Sequence, residues 1–424
     1  MADLSLIDGA VPAVVLTAGV LALLALVVLP VRRRLVVVLA AVAVGALVFV
    51  GLATDGLGLL PEALPGPVAA WLAVAAAAPV LVIGGLLGTS TGRRLLAPAC
   101  GLVLLIAVGA QVNQYFAYYP TFGALTGRAA EVGSLRGVAH QPSVAMPTPV
   151  VERWTGPATG TSQVVTASIP GTVSGLAARS AYVYLPAAYT SPAPPLLPVL
   201  VLVSGQPGAP QDWVTAGDLQ GRLDRFAALH GGLAPVTVVV DPNGPDDTIT
   251  MCMDSAIARA DTYLTQDVPT WIVTELGVDA NHAHWAFGGF SYGGTCAIQM
   301  ATRHPDLYPS FLDISGEREP AVSADRARTV QEAFGGDTAA FDALTPLTLL
   351  GRNRYPQVRG YFSAGADDTE FGPQVREVAA AAQKAGMSVR LEAVPGEGHS
   401  WAVPSAALLP GLDWLAPRLG LVRG

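Results

Sequence analysis

The feature that most constrains this chain is a set of four long, uncharged apolar runs crowded into its first 115 residues. Residues 11–30, 35–53, 68–88 and 95–113 contain no acid, base or histidine. Each is about 20 residues long, enough to cross a hydrocarbon core of about 30 Å as a helix. Helix is also the form a backbone takes where no water can satisfy its amides. A cleaved signal peptide fits the first run poorly. The residues ahead of it hold Asp3 and Asp8 but no Lys or Arg, whereas a signal sequence begins positive.

The connecting loops give an orientation. Arg32, Arg33 and Arg34 lie between the first two runs, and Arg93 and Arg94 between the last two. The amino terminus and residues 54–67 carry no Lys or Arg. The positive-inside rule then expects the amino terminus outside, both arginine loops inside and everything after residue 115 outside. Ionisable groups within a span are the usual mark of transport or proton relay. Their absence here points to an anchor.

The rest of the chain reads differently. Charged residues are only 13% of the whole, against a usual share of about 25%, but the deficit is concentrated in the apolar runs. The net charge of −8 argues against a nucleic-acid partner, because phosphate binding needs clustered positive charge. Residues 114–123 (QYFAYYPTFG) suit an interfacial aromatic belt. Residues 133–161, rich in Pro, Gly, Ser and Thr, read as a linker. Beyond them, short β-branched runs at 180–186, 198–205, 235–244, 284–291, 310–316, 358–365 and 389–396 alternate with helical stretches at 214–230, 258–276, 292–303, 323–334 and 372–386. That alternation predicts a mostly parallel α/β sheet. The expected organisation is a four-helix transmembrane region over 1–115, a juxtamembrane segment over 116–160 and an extracytoplasmic α/β domain over 161–424.

Within that domain, Gly289-Phe290-Ser291-Tyr292-Gly293 matches G-x-S-x-G between an apolar strand and a helix. This is the strand–turn–helix setting that exposes a nucleophilic serine. Ser291 needs a base at neutral pH. His399, in Gly396-Glu397-Gly398-His399-Ser400-Trp401, follows the last expected strand, whereas His304 closes the helix after the serine and suits capping or packing. An acid should follow the strand before His399. Asp368 fits best, with Asp367 as runner-up, then Glu370, and with Asp313 as an outsider. Candidate oxyanion donors are the amides of Tyr292 and of Gln206, since Pro207 has no N–H. Trp213 and Trp401 are expected to line the substrate pocket, with a place in the core as the alternative for Trp213.

These pieces carry a resemblance. The SGQPG loop with Trp213, the FGGFSYGG elbow, RHPDLYPSFLDISGE, GADDTEF and GEGHSW span about 200 residues in order. They resemble the putative-esterase family of α/β-hydrolases, which includes esterase D-like enzymes and the mycolyltransferases of the antigen 85 complex. The amino-terminal spans followed by NQYFAYYPTFG look like membrane-anchored actinobacterial members. The resemblance implies an α/β-hydrolase fold and serine-dependent cleavage or transfer of esters, with Ser291 as nucleophile and His399 as base. The acid varies among relatives, and the mycolyltransferases use a glutamate.

The expected substrate is a lipid-borne or cell-envelope ester, with the membrane as the other partner and no cofactor. The alternative is a non-catalytic hydrolase-fold domain that binds lipid, glycan or a partner protein. Cys252 and Cys296 both fall in the exterior half, where disulfides persist, and are expected to pair. Cys100 lies in the fourth run. His282 and His284 would share one face of a strand, but no carboxylate or thiol cluster accompanies them and no metal site is expected.

Overall fold

The computed structural model describes residues 4–28, 64–87, 90–127, 132–135, 141–245 and 248–423, with a few positions between 38 and 48. The chain divides into two compact units, Met1–Ala129 and Ala130–Gly424.

In the first unit, helices Ala10–Val28, Gly66–Leu86 and Thr91–Phe116 are each long and apolar enough to cross a membrane. They correspond to the first, third and fourth expected spans. The second, 35–53, lies for the most part outside the described residues. Small residues let the helices approach closely. A Cβ on Gly19 would come within 2.3 Å of the Ala107 methyl, and one on Gly85 within 2.4 Å of the Ala97 methyl. Close contacts between small residues are the kind of packing that holds helices together where lipid removes the hydrophobic drive. Leu26, Ala78, Leu81, Ala97 and Leu104 form the shared seam. Asn113 ends the last helix by bonding Tyr119 through both sides of its amide, at 2.7 and 3.0 Å. Residues on either side of the bundle then meet: Leu6 N–H donates to Pro120 O and Phe122 N–H to Leu4 O, both at 2.9 Å.

Among the described residues, the second unit is built on one nine-stranded sheet. Its strands are β1 (Val132–Ser134), β2 (Gln163–Ala167), β3 (Ala181–Leu185), β4 (Val199–Val203), β5 (Val236–Val240), β6 (Trp285–Phe290), β7 (Ser310–Ile314), β8 (Arg359–Gly365) and β9 (Ser388–Val394). The spatial order is β1-β2-β3-β5-β4-β6-β7-β8-β9. From β5 to β9 every pairing is parallel, while β3 runs antiparallel to both neighbours. The sequence VLVLV of β4 and VTVVV of β5 are buried at every position, as strands covered on both faces must be. Helix Tyr292–Arg303 covers β4, β6 and β7, and helix Ala402–Leu415 packs on β7 and β8.

Three details differ from expectation. Residues 133–161, read as a linker, supply β1, a bridge from Val144 to Asp279 and helix Val150–Arg153 with Val150 buried. The 214–230 stretch is split into Gln211–Thr215 and Leu219–Leu229 around Gly217 and a left-handed Asp218. His282 and His284 stand in a single 3-10 turn rather than on one face of a strand. His284 there bonds Asp279 at 2.7 Å.

Candidate active site

Ser291 sits at the carboxyl end of β6 with φ 56° and ψ −119°, a left-handed backbone that non-glycine residues rarely adopt. The neighbouring glycines make this turn sterically feasible. A Cβ on Gly293 would fall 2.1 Å from Val203 O, and one on Gly289 would fall 2.4 Å from Gly293 C. The helix therefore starts directly over the ends of β4 and β6.

The structure brings Ser291, His399 and Asp368 into one hydrogen-bonded chain. His399 Nε2 lies 3.0 Å from Ser291 Oγ, and His399 Nδ1 lies 3.2 Å from Asp368 Oδ2. Asp368 Oδ1 accepts the amides of Glu370 at 3.1 Å and Phe371 at 2.8 Å. Burial alone would raise the Asp368 carboxyl. The His399 imidazole and the two amides outweigh it and hold the group below its ordinary value. An ionised Asp368 can only accept, so the imidazole carries its proton on Nδ1 and turns a lone pair toward the serine hydroxyl.

The other acids are placed elsewhere. Asp367 is exposed and uses its backbone N–H to bond Glu397 O at 2.9 Å. Glu370 is exposed. Asp313 is buried beneath the elbow helix, with Oδ1 accepting Gly316 N–H at 3.0 Å and Oδ2 without a partner. Burial pushes it up to about 8. His304 bonds Asp261 at 2.9 Å, away from this chain.

Aromatic rings hold the histidine. Phe371 stacks on His399 at 4.0 Å between centroids and Phe290 stacks at 5.0 Å. Trp401 leans on Phe290 at 5.2 Å and meets Trp213 edge to face at 5.5 Å. Trp213 has no exposed surface and donates its indole N–H to Val203 O at 3.1 Å. It backs the site as a core residue and does not wall a pocket.

The loop after β4 lies against the serine: a Cβ on Gly205 would meet Ser291 Cβ at 3.3 Å. Gln206 is the next residue along this loop. Its course is fixed by groups that the sequence reading missed. Arg179 pairs with Asp241 through Nε at 2.9 Å and donates from Nη2 to Gly208 O at 2.8 Å. Ser204 Oγ donates to Ala209 O at 2.7 Å. The signal for Asp241 was its position straight after β5; Arg179, 62 residues earlier, gave none.

The strand ends are stitched across the sheet. Ser291 N–H donates to Ile314 O at 2.8 Å, Ser315 N–H to Ser363 O at 2.7 Å and Ala366 N–H to Val394 O at 2.8 Å. Tyr292 is buried, and its hydroxyl donates to Asn243 Oδ1 at 2.8 Å and receives the Cys252 N–H at 3.1 Å. Burial pushes the Tyr292 phenol up. Cys252 and Cys296 form the expected disulfide, fastening this loop to the elbow helix.

A model of the family described as putative esterase matches residues 177–412. An uncharacterized protein of Corynebacterium glutamicum is 36% identical over 343 residues, 78% of each chain. Among solved structures, a ferulic acid esterase aligns with a TM-score of 0.52 at 20% identity, covering 61% of this chain and 99% of the other. An S-formylglutathione hydrolase from Agrobacterium tumefaciens aligns with a TM-score of 0.50 at 19% identity, covering 63% and 98%. At those identities the likeness is one of fold.

Proposed function

The chain belongs to the putative-esterase family of α/β-hydrolases, and from that premise we propose that it is a membrane-anchored serine esterase or acyltransferase acting outside the cytoplasmic membrane. The observation that carries the chemistry is the chain of contacts at 3.0 and 3.2 Å from Ser291 through His399 to Asp368. Ser291 Oγ attacks an ester carbonyl as His399 Nε2 takes its proton. Asp368 holds the Nδ1–H and stabilises the imidazolium that forms. The amides of Tyr292 and Gln206 receive the oxyanion. His399 then returns the proton to the leaving alkoxide, the C–O bond breaks and an acyl-enzyme remains. Water or an alcohol, deprotonated by His399, attacks the acyl carbon and frees Ser291.

The anchor reading is supported by the direction of the helices. Helix Thr91–Phe116 runs against both Ala10–Val28 and Gly66–Leu86, and residues 4–6 bond residues 120–122. The chain thus enters and leaves the bundle at one end, as an even number of crossings requires. With the arginine loops inside, the hydrolase domain is outside, beside the outer leaflet. A lipid-borne or cell-envelope ester is the substrate class this placement favours.

Ser291→Ala tests the reading. The full-length variant in detergent should lose turnover of a short p-nitrophenyl ester and covalent labelling by a fluorophosphonate, with an unchanged melting temperature. Labelling that persists at another residue, or undiminished turnover, would reject it.

A further inference from the structure

The sheet ends at β9, a seven-residue strand with no partner on its outer side among the described residues. Unpaired edges usually carry a bulge, a proline or isolated charge that prevents further pairing. β9 has neither bulge nor proline: all of its residues pair in continuous register with β8. Leu391, at its centre, is 45% exposed.

We infer that β9 joins two copies of this chain, edge to edge and antiparallel, about a two-fold axis at Leu391. The backbone phase permits this centre. Ser388 N–H donates to Val358 O and Val394 O accepts from Ala366 N–H, so even-numbered residues turn their amides toward β8. Alternation along the strand then turns the N–H and C=O of Val389, Leu391 and Ala393 outward. Under the two-fold, Leu391 faces Leu391 of the second copy, and Val389 faces Ala393. These are the pairs that exchange both backbone hydrogen bonds in an antiparallel ladder. A centre on Arg390 or Glu392 would keep the ladder's hydrogen bonds but set like charges against each other at the axis, Arg390 on Arg390 or Glu392 on Glu392.

Charge selects this centre. Arg390 and Glu392 share the face covered by helix Ala402–Leu415, where Arg390 lies near Trp414 and bonds Glu392 within its own strand. The two-fold places Arg390 opposite Glu392 of the second copy, and Glu392 opposite Arg390. Two intrastrand pairs become one four-charge network with no like charges directly opposed, an arrangement that favours cross-strand pairing. On the other face the exposed Leu391 side chains meet each other at the axis.

The test uses the full-length protein in detergent micelles, with Cys100→Ala as the background. Leu391→Cys should form a disulfide-linked dimer under mild oxidation, because directly opposed residues in such a pair have Cα atoms about 5.5 Å apart. Ser388→Cys should not, since its own copy would lie about 20 Å away. Arg390→Glu should leave monomers by light scattering, and adding Glu392→Arg should restore the dimer. A monomeric parent protein, equal cross-linking at 388 and 391, or no rescue by the double exchange would overturn the inference. Fluorophosphonate labelling of each variant reports that its fold is intact.

Discussion

Asp368→Asn is the most discriminating single perturbation of the proposed mechanism. The two amides on Oδ1, from Glu370 at 3.1 Å and Phe371 at 2.8 Å, accept no substitute for an oxygen. Turning the new NH2 toward them would leave buried donors unpaired, at about 1–3 kcal/mol each. The asparagine therefore keeps its oxygen there and presents NH2 to His399 Nδ1, 3.2 Å away in the parent protein. Nδ1 must then accept, and the imidazole proton moves to Nε2, facing Ser291. The serine loses its base while every heavy atom stays in place. A wrong-tautomer lesion of this kind costs about 10^4-fold in turnover, or about 5.4 kcal/mol of transition-state stabilisation. The assay is kcat for p-nitrophenyl butyrate on full-length protein, with the rate of fluorophosphonate labelling as an independent measure. Asp367→Asn, at the exposed neighbour, should stay within a few-fold of the parent. Turnover of Asp368→Asn within tenfold of the parent, or an equal loss in Asp367→Asn, would refute the reasoning.

Other predictions follow from the same geometry. Gly293→Ala drives a methyl into Val203 O and should abolish the yield of folded protein or cost several kcal/mol of stability, whereas Gly351→Ala, with open space around it, should raise stability by about 0.4–1 kcal/mol in denaturant melts. Replacing both Cys252 and Cys296 by alanine opens a loop spanning a sequence separation of 44 and should cost up to about 4 kcal/mol by the chain-entropy account, read as a lower denaturation midpoint. Asp313 is held near 8 in the folded chain, above the 3.8 of an exposed carboxyl, so the unfolded state releases its proton first as pH rises. That group's contribution to stability therefore falls between about pH 4 and 8, by at most about 1.4 kcal/mol per unit, and is flat above. Asp313→Asn should flatten the pH profile of the melting temperature over that window; an unchanged slope would contradict the burial argument.

The site was legible in the sequence to different depths. Gly289, Gly293 and the flanking apolar strand announced the elbow because few other arrangements need small residues at those points. The choice between Asp367 and Asp368 turned on which adjacent residue faces inward at the end of β8, a matter of strand phase that spacing left open. Trp213 was ambiguous for a related reason: an indole backing a site and one lining it look alike until exposure is known. Arg179 and Asp241 meet across 62 residues of chain, and no local pattern reports such a pair. Helix Ala402–Leu415 was missed because Pro404 and Pro410 break its apparent periodicity, although tertiary packing on β7 and β8 stabilises it. β2 escaped because its Val164 and Val165 stand in a segment rich in Ser, Thr and Gly.

β7 supplies no reacting atom, yet it acts as the gauge block of the site. The loops that carry Asp368 and His399 are bonded to each other beyond β8, whereas Ser291 hangs from β6 on the opposite side. The strand between them, β7, bonds the serine through Ile314 O, and Ser315 just past its end bonds β8. A slip of one residue along this strand would displace them by about 3.3 Å, comparable to the whole 3.0 Å contact between His399 and Ser291. Substitutions in β7 should thus idle the machine without altering any of its working surfaces: substrate would still dock, and turnover alone would fall.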